Sequence, residues 1–585
     1  MSFAVPNVAR LELLPPVVTG AYHPRRPQDT LLHRIVREHF QTFLAHTSRI
    51  YTRPLPRYVV QEFEKYVACG DLSRGFTRCV CARCGLERAV PYSCKTRGLC
   101  PSCAGRRMAD SAARLVDSVL PDLPLRQWVL SLPHDLRLLA AMRADVLRDI
   151  VRIFVRTVFR CMRRRLRLPG APGGAVAATH RGGGALNCNP HLHVLAADGL
   201  FVRRPAGDVG FHRAPPPSPA DLRWVVQTVR RRVLRRLRKM GLLRDERLVG
   251  EGSNQTPDPS ALEACGALAL RAGEFESHDG ATAEPDDMPS GRRSNRWSAQ
   301  DGGFNVHAGV RVPAGDHLGR ERLCKYITRP PFAMDRFSEL PDGRIAYQVR
   351  HPLAPGKTHR VMTPLELLAR LAALVPPPRF PLLRYFGVFA AHSPWRRFVV
   401  PKPPDASATC RHAQGEQAPP RPPAPGTSAP PASFDPLLVV PAPLPGALSP
   451  EHWRRLDDGL LLARQPRVDW ATLLRRTWAE DVLCCPRCRG RMALIEVVSD
   501  ESEIRRNLAA RGLPYEPVSF APPRDLDQPS HAEPRRRVGR GPPSTDPPDG
   551  ADRCSVDESG DPPWQDDCQL PPDDDAAEAP PDAEI

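Results

Sequence analysis

Two short cysteine repeats constrain this chain more than any other feature: Cys81-Ala-Arg-Cys84, fifteen residues, then Cys100-Pro-Ser-Cys103. A CxxC turn brings two sulfurs to one side, and two such turns offer four thiolates that close tetrahedrally on Zn²⁺ at about 2.3 Å. The expectation is one site built from Cys81, Cys84, Cys100 and Cys103. Four thiolates leave no position open for substrate, so the metal would be structural. It would supply about 10 kcal/mol or more of folding free energy. Cys79 and Cys94 are potential substitutes, and Cys69 lies just upstream. A third pair, Cys485-Pro-Arg-Cys488, sits beside Cys484 and lacks two ligands; zinc and plain buried cysteines both remain open for it.

The alternative use of 17 cysteines, a disulfide framework, belongs to exported proteins. Residues 1–18 hold Pro6, Arg10, Glu12, Pro15 and Pro16 where a signal peptide needs an apolar run. No stretch of about 18 apolar residues is present either. A reducing, cytoplasmic setting without a membrane partner is therefore expected.

The net charge of +18 hides an asymmetry. Residues 541–585 carry 14 Asp and Glu against Arg553 alone, which leaves +31 on residues 1–540. A body so basic points to a polyanion, and nucleic acid is the commonest. Arg83, Lys95, Arg97, Arg106 and Arg107 surround the cysteine repeats and are candidate phosphate contacts.

Along the chain, residues 1–28 form an N-terminal segment and 29–122 a helical, zinc-knuckle domain. Apolar residues at helical spacing mark 29–68, and further helices are expected over about 105–120, 144–167, 221–241, 318–328 and 363–375. Alternation predicts strands at 175–179, 191–196 and 304–312. These elements fall in a second domain, 123–400, interrupted by a polar loop or insertion at about 250–300. Proline dominates a linker at 401–449. A small CxxC module at 450–498 and a mostly disordered, acidic tail at 499–585 complete the chain. The class is α+β.

Within the second domain, His191-Leu192-His193 lies on a predicted strand. Residues i and i+2 share one face, so both imidazoles point one way while Leu192 and Val194 pack the other. Two metal ligands on a rigid platform result, and Asn187, Asn189, Asp198 and His180 are polar groups able to complete a shell. Tyr326, on a predicted helix with Lys325 and Arg329 beside it, is a candidate nucleophile. A phenol of pKa near 10 attacks poorly at neutral pH unless a cation favours the phenolate or a metal activates the electrophile. Gly356-Lys357-Thr358 is no P-loop, because His351 stands where the motif needs glycine.

Several strings resemble transposases of the insertion-sequence-91 family and their common-region relatives. They are CKTRGLCPSCAGRRMAD (94–110), LPLRQWVLSLPHDLR (123–137), ALNCNPHLHVLAADG (185–199), FNVHAGVRVPAGD (304–316), ERLCKYITRPPFAMDR (321–336) and DVLCCPRCRGRM (481–492). The resemblance implies an N-terminal zinc-binding domain followed by a His-hydrophobe-His (HUH) endonuclease domain, a central antiparallel sheet flanked by helices. It implies His191 and His193 as ligands of a catalytic Mg²⁺ or Mn²⁺ and Tyr326 as the nucleophile. The implied chemistry is rolling-circle transposition, in which one DNA strand is nicked, a 5′-phosphotyrosine forms, and the strand is transferred. The implied partners are single-stranded DNA at the element ends and host replication or helicase proteins, which places the protein at the nucleoid. Arg322 occupies the position of a second tyrosine, so the single-tyrosine branch is implied. His180-Arg181-Gly182-Gly183 departs from the usual Gln-Arg-aromatic-Gly, and His180 becomes a candidate third ligand. Two other readings use the same features: a regulatory or inactive zinc-dependent DNA-binding protein, and a plasmid rolling-circle replication initiator.

Overall fold

Thr30 opens the first helix, its hydroxyl accepting from the His33 amide. Helix α1 (Leu31–Ile50) buries Leu32, Ile35, Val36, Phe40 and Phe43 along one stripe. Pro54 and Pro56 separate it from α2 (Arg57–Val67), so the helical run expected over 29–68 is two helices. This and all that follows is read from a computed structural model that describes residues 27–205, 208–243, 258–271, 275–276, 296–349, 358–401 and 482–525. The linker at 402–449 and the tail from 526 lie outside the described residues.

A ribbon of β1 (Phe76–Cys81) and β2 (Glu87–Pro91) leads into α3 (Pro101–Ser118). Next come β3 (Leu125–Ser131), α4 (His134–Met142), α5 (Ala144–Leu166), β4 (Gly174–Gly182) and β5 (Cys188–Ala197). The hairpin β6 (Gly199–Arg203) and β7 (Val209–Arg213) precedes α6 (Pro219–Lys239), α7 (Ala261–Leu270) and β8 (Phe275–Glu276). Then follow β9 (Ser298–Asp301), β10 (Phe304–His307), β11 (Arg311–Val312) and α8 (His317–Thr328). The second domain closes with β12 (Phe337–Glu339), β13 (Ile345–Gln348), β14 (His359–Met362), α9 (Pro364–Leu374), β15 (Leu383–Gly387) and α10 (Arg396–Val399). Far along the chain come β16 (Met492–Val498) and α11 (Glu501–Ala509).

The fold is mixed α+β, and its main sheet runs β15-β4-β5-β3-β10-β9, with β11 also on β3, antiparallel throughout. Alternation along β5 sorts two cores. Leu192, Val194 and Ala196 pack with α5 and α6; Leu195 and Ala197 pack with α3 and α8. The strand expected over 304–312 is two pieces, because Ala308 turns aside to pair with Trp297 and to accept from Arg126.

Three further stretches differ from expectation. Within 250–300, Ser260 and Glu263 form a capping box that starts α7, whose small residues press closely on α4. The small-residue composition concealed this helix, since it carries little amphipathic contrast. At the other end, β16 is no separate module: it pairs with β1 and completes the three-stranded sheet β16-β1-β2. Residues 499–525, expected to begin a tail, form α11 and a strap on α1, where Ala521 N–H donates to the Arg37 carbonyl and Phe520 meets Phe40.

Candidate active site

β5 lies between β3 and β4, and this pairing brings chemistry from three strands together. Register places His191 opposite His180 of β4 and His193 opposite Val129 of β3. The strand alternation puts His191 and His193 on the α3/α8 side of the sheet, opposite Leu192 and Val194. One nitrogen of each of His180, His191 and His193 lies within 4.8 Å of the others. The ring centroids are 4.5–5.2 Å apart.

Each imidazole has its other nitrogen engaged. His191 Nδ1 lies 2.7 Å from the Asn189 carbonyl oxygen, and His180 Nε2 lies 2.8 Å from that of Ile327. Only protonated nitrogens donate to carbonyls, so the lone pairs reside on His191 Nε2 and His180 Nδ1. Gln127 Nε2 lies 2.6 Å from His193 Nδ1, and with the carboxamide turned over its oxygen accepts from Nδ1–H and leaves the lone pair on Nε2. His193 Nε2 is buried with no hydrogen-bond partner among the described residues. An orphaned lone pair in that position fits a cation among the three rings. Burial, then the neighbouring His180, His191 and Arg329, hold the His193 pKa well below its ordinary value, so the ring stays neutral and able to ligate.

Tyr326 reaches this cluster from α8, its ring meeting that of His193 edge-on at 5.4 Å. The Arg329 guanidinium lies 4.2 Å from the Tyr326 ring centroid. Lys325 pairs with Glu321, 3.3 Å away. Asp198, which sequence offered as part of a metal shell, is instead buried in a paired bond with Arg126, both contacts 2.9 Å, and approached by Arg311. Gln127 and the Ile327 carbonyl were not singled out from sequence; their roles depend on strand register and on helix placement. The residues surrounding them carried the only signal.

The cysteines are sorted differently from the single site expected. Cys81 and Cys84 do not meet Cys100 and Cys103. Cys100 and Cys103 join Cys69 and Cys94, while Cys81 and Cys84 join Cys485 and Cys488. The reason is local: Cys69 follows α2, Cys94 leaves β2, and Cys100 and Cys103 open α3, which converges these four. Sγ–Sγ distances are 3.9 Å for Cys69–Cys103, 3.4 Å for Cys94–Cys103 and 3.7 Å for Cys69–Cys100. A tetrahedron of 2.3 Å metal–sulfur bonds has edges of about 3.8 Å. Hydrogen bonding from Cys100, then Cys69 and Cys94, holds the Cys103 thiol far below its ordinary range, and the α3 N-terminus favours thiolate there as well. Cys79 is buried outside both clusters.

Of the basic residues around the cysteines, Arg83 and Lys95 are exposed. Arg106 is half-buried. Arg97 is spent on the carbonyls of Phe380 and Pro377, and Arg107 on that of Lys95. No helix among the described residues is long and apolar enough to cross a membrane.

Comparison with known families meets this geometry. Residues 35–132 match the family model described as "Transposase zinc-binding domain", a range that holds Cys69, Cys94, Cys100 and Cys103. Residues 174–396 match the model described as "Putative transposase", a range that starts with β4 and holds the three histidines, Tyr326 and Arg329. No curated protein and no solved structure matches the chain.

Proposed function

This chain belongs to the insertion-sequence-91 family of transposases, and from that premise we propose that it nicks one DNA strand with Tyr326 in an HUH-type active site. The observation that carries the reading is the meeting of three imidazoles and one tyrosine on a single sheet face, with His193 Nε2 buried and unpartnered. His180, His191 and His193 would hold Mg²⁺ or Mn²⁺, whose contribution is to polarise the scissile phosphate. Imidazoles with open positions suit such a cation, whereas four thiolates suit structural Zn²⁺.

Arg329 lies over the Tyr326 ring, where its charge favours the phenolate. Tyr326 Oη then forms a bond to phosphorus as the bond to the 3′ oxygen breaks. That oxygen leaves as a 3′-hydroxyl, taking up the proton the phenol gave up. The 5′-phosphotyrosine keeps the phosphodiester's energy, so a 3′-hydroxyl reverses the step without ATP. Rolling-circle strand transfer at element ends follows from that chemistry, with unwinding left to host helicase or replication proteins. His180 serves as third ligand in place of the family's glutamine, and its Nε2–H braces the tyrosine helix. Arg83 and Lys95, exposed beside the cysteine clusters, contact DNA phosphates in this reading.

The test is the polarity of the linkage. Single-stranded DNA carrying the element's ends is labelled on either side of the cut and incubated with Mn²⁺. The protein adduct should retain the label on the 3′ side, and the released strand should be extendable by a polymerase. Release of a 5′-hydroxyl strand, with the protein on the other side, would overturn the chemistry.

A further inference from the structure

The second cysteine cluster lies outside both family ranges at one of its halves, since Cys485 and Cys488 follow residue 396. Its two turns are near copies of each other. In the first, Gly85 N–H donates to the Cys81 carbonyl and Cys81 N–H to the Leu86 carbonyl. In the second, Arg489 N–H donates to the Cys485 carbonyl and Cys485 N–H to the Gly490 carbonyl. Both turns place the residue after the second cysteine at positive φ: Gly85 at 69° and Arg489 at 58°. An arginine at such an angle is strained unless the turn demands it. The matching bonds and the matching angle define a paired knuckle.

The sulfurs complete the picture. Cys81 and Cys488 are 3.5 Å apart at Sγ, and Cys84 and Cys485 are 3.6 Å apart. These gaps far exceed the covalent distance of about 2.05 Å and come close to the edges of a tetrahedral thiolate site. Gly490 N–H also points at Cys488 Sγ, 3.4 Å away, a bond that stabilises thiolate. A side chain at Gly490 would press on Arg83 and on both Cys81 and Cys488 sulfurs, so the backbone there runs against the cluster. Cys484, adjacent in sequence, takes no part.

We propose that Cys81, Cys84, Cys485 and Cys488 bind a second structural Zn²⁺ that clasps the C-terminal residues 482–525 to the N-terminal domain. The clasp joins cysteines 401 positions apart, and the strand pairing Cys81↔Met492 to Phe76↔Val498 extends directly from it. Ion pairs of Arg78 with Glu496 and of Arg511 with Glu87 lie along the same seam. Behind it, Phe76, Val498, Ile504 and Leu508 form a small core. Arg83 and Arg487, at equivalent positions of the two knuckles, are both exposed.

The experiment measures zinc in the purified full chain and in the Cys485→Ser/Cys488→Ser variant. The wild type should carry two equivalents and the variant one. One equivalent in the wild type, or an unchanged content in the variant, overturns the clasp. Because the variant could misfold, a second measurement uses the wild type alone. Native protein is treated with N-ethylmaleimide and mapped by mass spectrometry, before and after chelation. Cys484 and Cys488 are comparably half-buried, so burial alone gives them similar reactivity. Cys488 should be protected until the zinc is removed, then react together with Cys81, Cys84 and Cys485. Reaction of Cys488 at the rate of Cys484 in the untreated protein contradicts the proposal.

Discussion

His180 Nε2 lies 2.8 Å from the carbonyl oxygen of Ile327, the residue that follows Tyr326. One imidazole of the histidine cluster is thus tied to the backbone of the tyrosine helix, and ligand geometry and nucleophile position are coupled through it. His180→Ala should weaken Mn²⁺ binding by about 10-fold or more and slow adduct formation further than the lost metal affinity explains at saturating Mn²⁺. Calorimetric titration and single-turnover nicking measure the two effects. Unchanged Mn²⁺ affinity would remove His180 from the ligand set.

Gln127 holds His193 by its Nδ1. Outer partners of this kind set ring orientation, and their loss typically costs about 10–100-fold in metal affinity. Gln127→Leu should show that loss while leaving zinc content unchanged. Full Mn²⁺ affinity in the variant would mean that packing alone orients the ring.

The two metal classes should separate. Gentle dialysis against EDTA is expected to abolish nicking, with Mn²⁺ restoring it and zinc content constant throughout. Restoration by Zn²⁺ alone would contradict the division of labour.

Two buried histidines make stability fall in acid. His33, whose Nε2 lies 3.0 Å from the Val67 carbonyl oxygen, is held below its ordinary pKa by burial; His193 is held further down. In both, the unfolded chain takes the proton first. Their contribution is therefore complete above pH of about 6.5 and is lost as pH falls from there toward the folded values. Urea midpoints without added Mn²⁺ should drop between pH 7.5 and 5.5, and His33→Gln, which keeps a donor for Val67, should shallow the slope. An equal slope in the variant would exclude His33 as a contributor.

DNA affinity should fall steeply with salt. On α5 and α6, Arg232 is held below its ordinary range first by burial and then by Arg160, Arg235, Arg231 and Arg156, a repulsion that phosphates would relieve. Arg231→Gln with Arg235→Gln should reduce the log–log salt slope by about 1–2, at about 0.7 per lost single-strand phosphate contact. An unchanged slope would place the DNA on another surface.

What sequence could disclose depended on the range of the interaction. The shared face of His191 and His193 follows from a two-residue period, and the helix expected over 363–375 follows from local pattern; the structure has both. The grouping of cysteines was not legible. Spacing within a CxxC pair is local, but whether Cys81 and Cys84 meet Cys100 or Cys485 is decided by β16 joining β1 from across the chain. The isolated look of Cys485 and Cys488 had the same cause. Gln127 stayed hidden because its meaning arises only from the β3–β5 register, and Asp198 misled because Arg126, its partner, lies 72 positions away.

The most direct measurement is covalent trapping on labelled single-stranded DNA carrying the element's ends, with Mn²⁺, for wild type and Tyr326→Phe. The account predicts a protein–DNA adduct in wild type that vanishes in Tyr326→Phe while DNA binding and zinc content persist. An adduct of equal yield in Tyr326→Phe, or none in wild type despite tight binding, would contradict it.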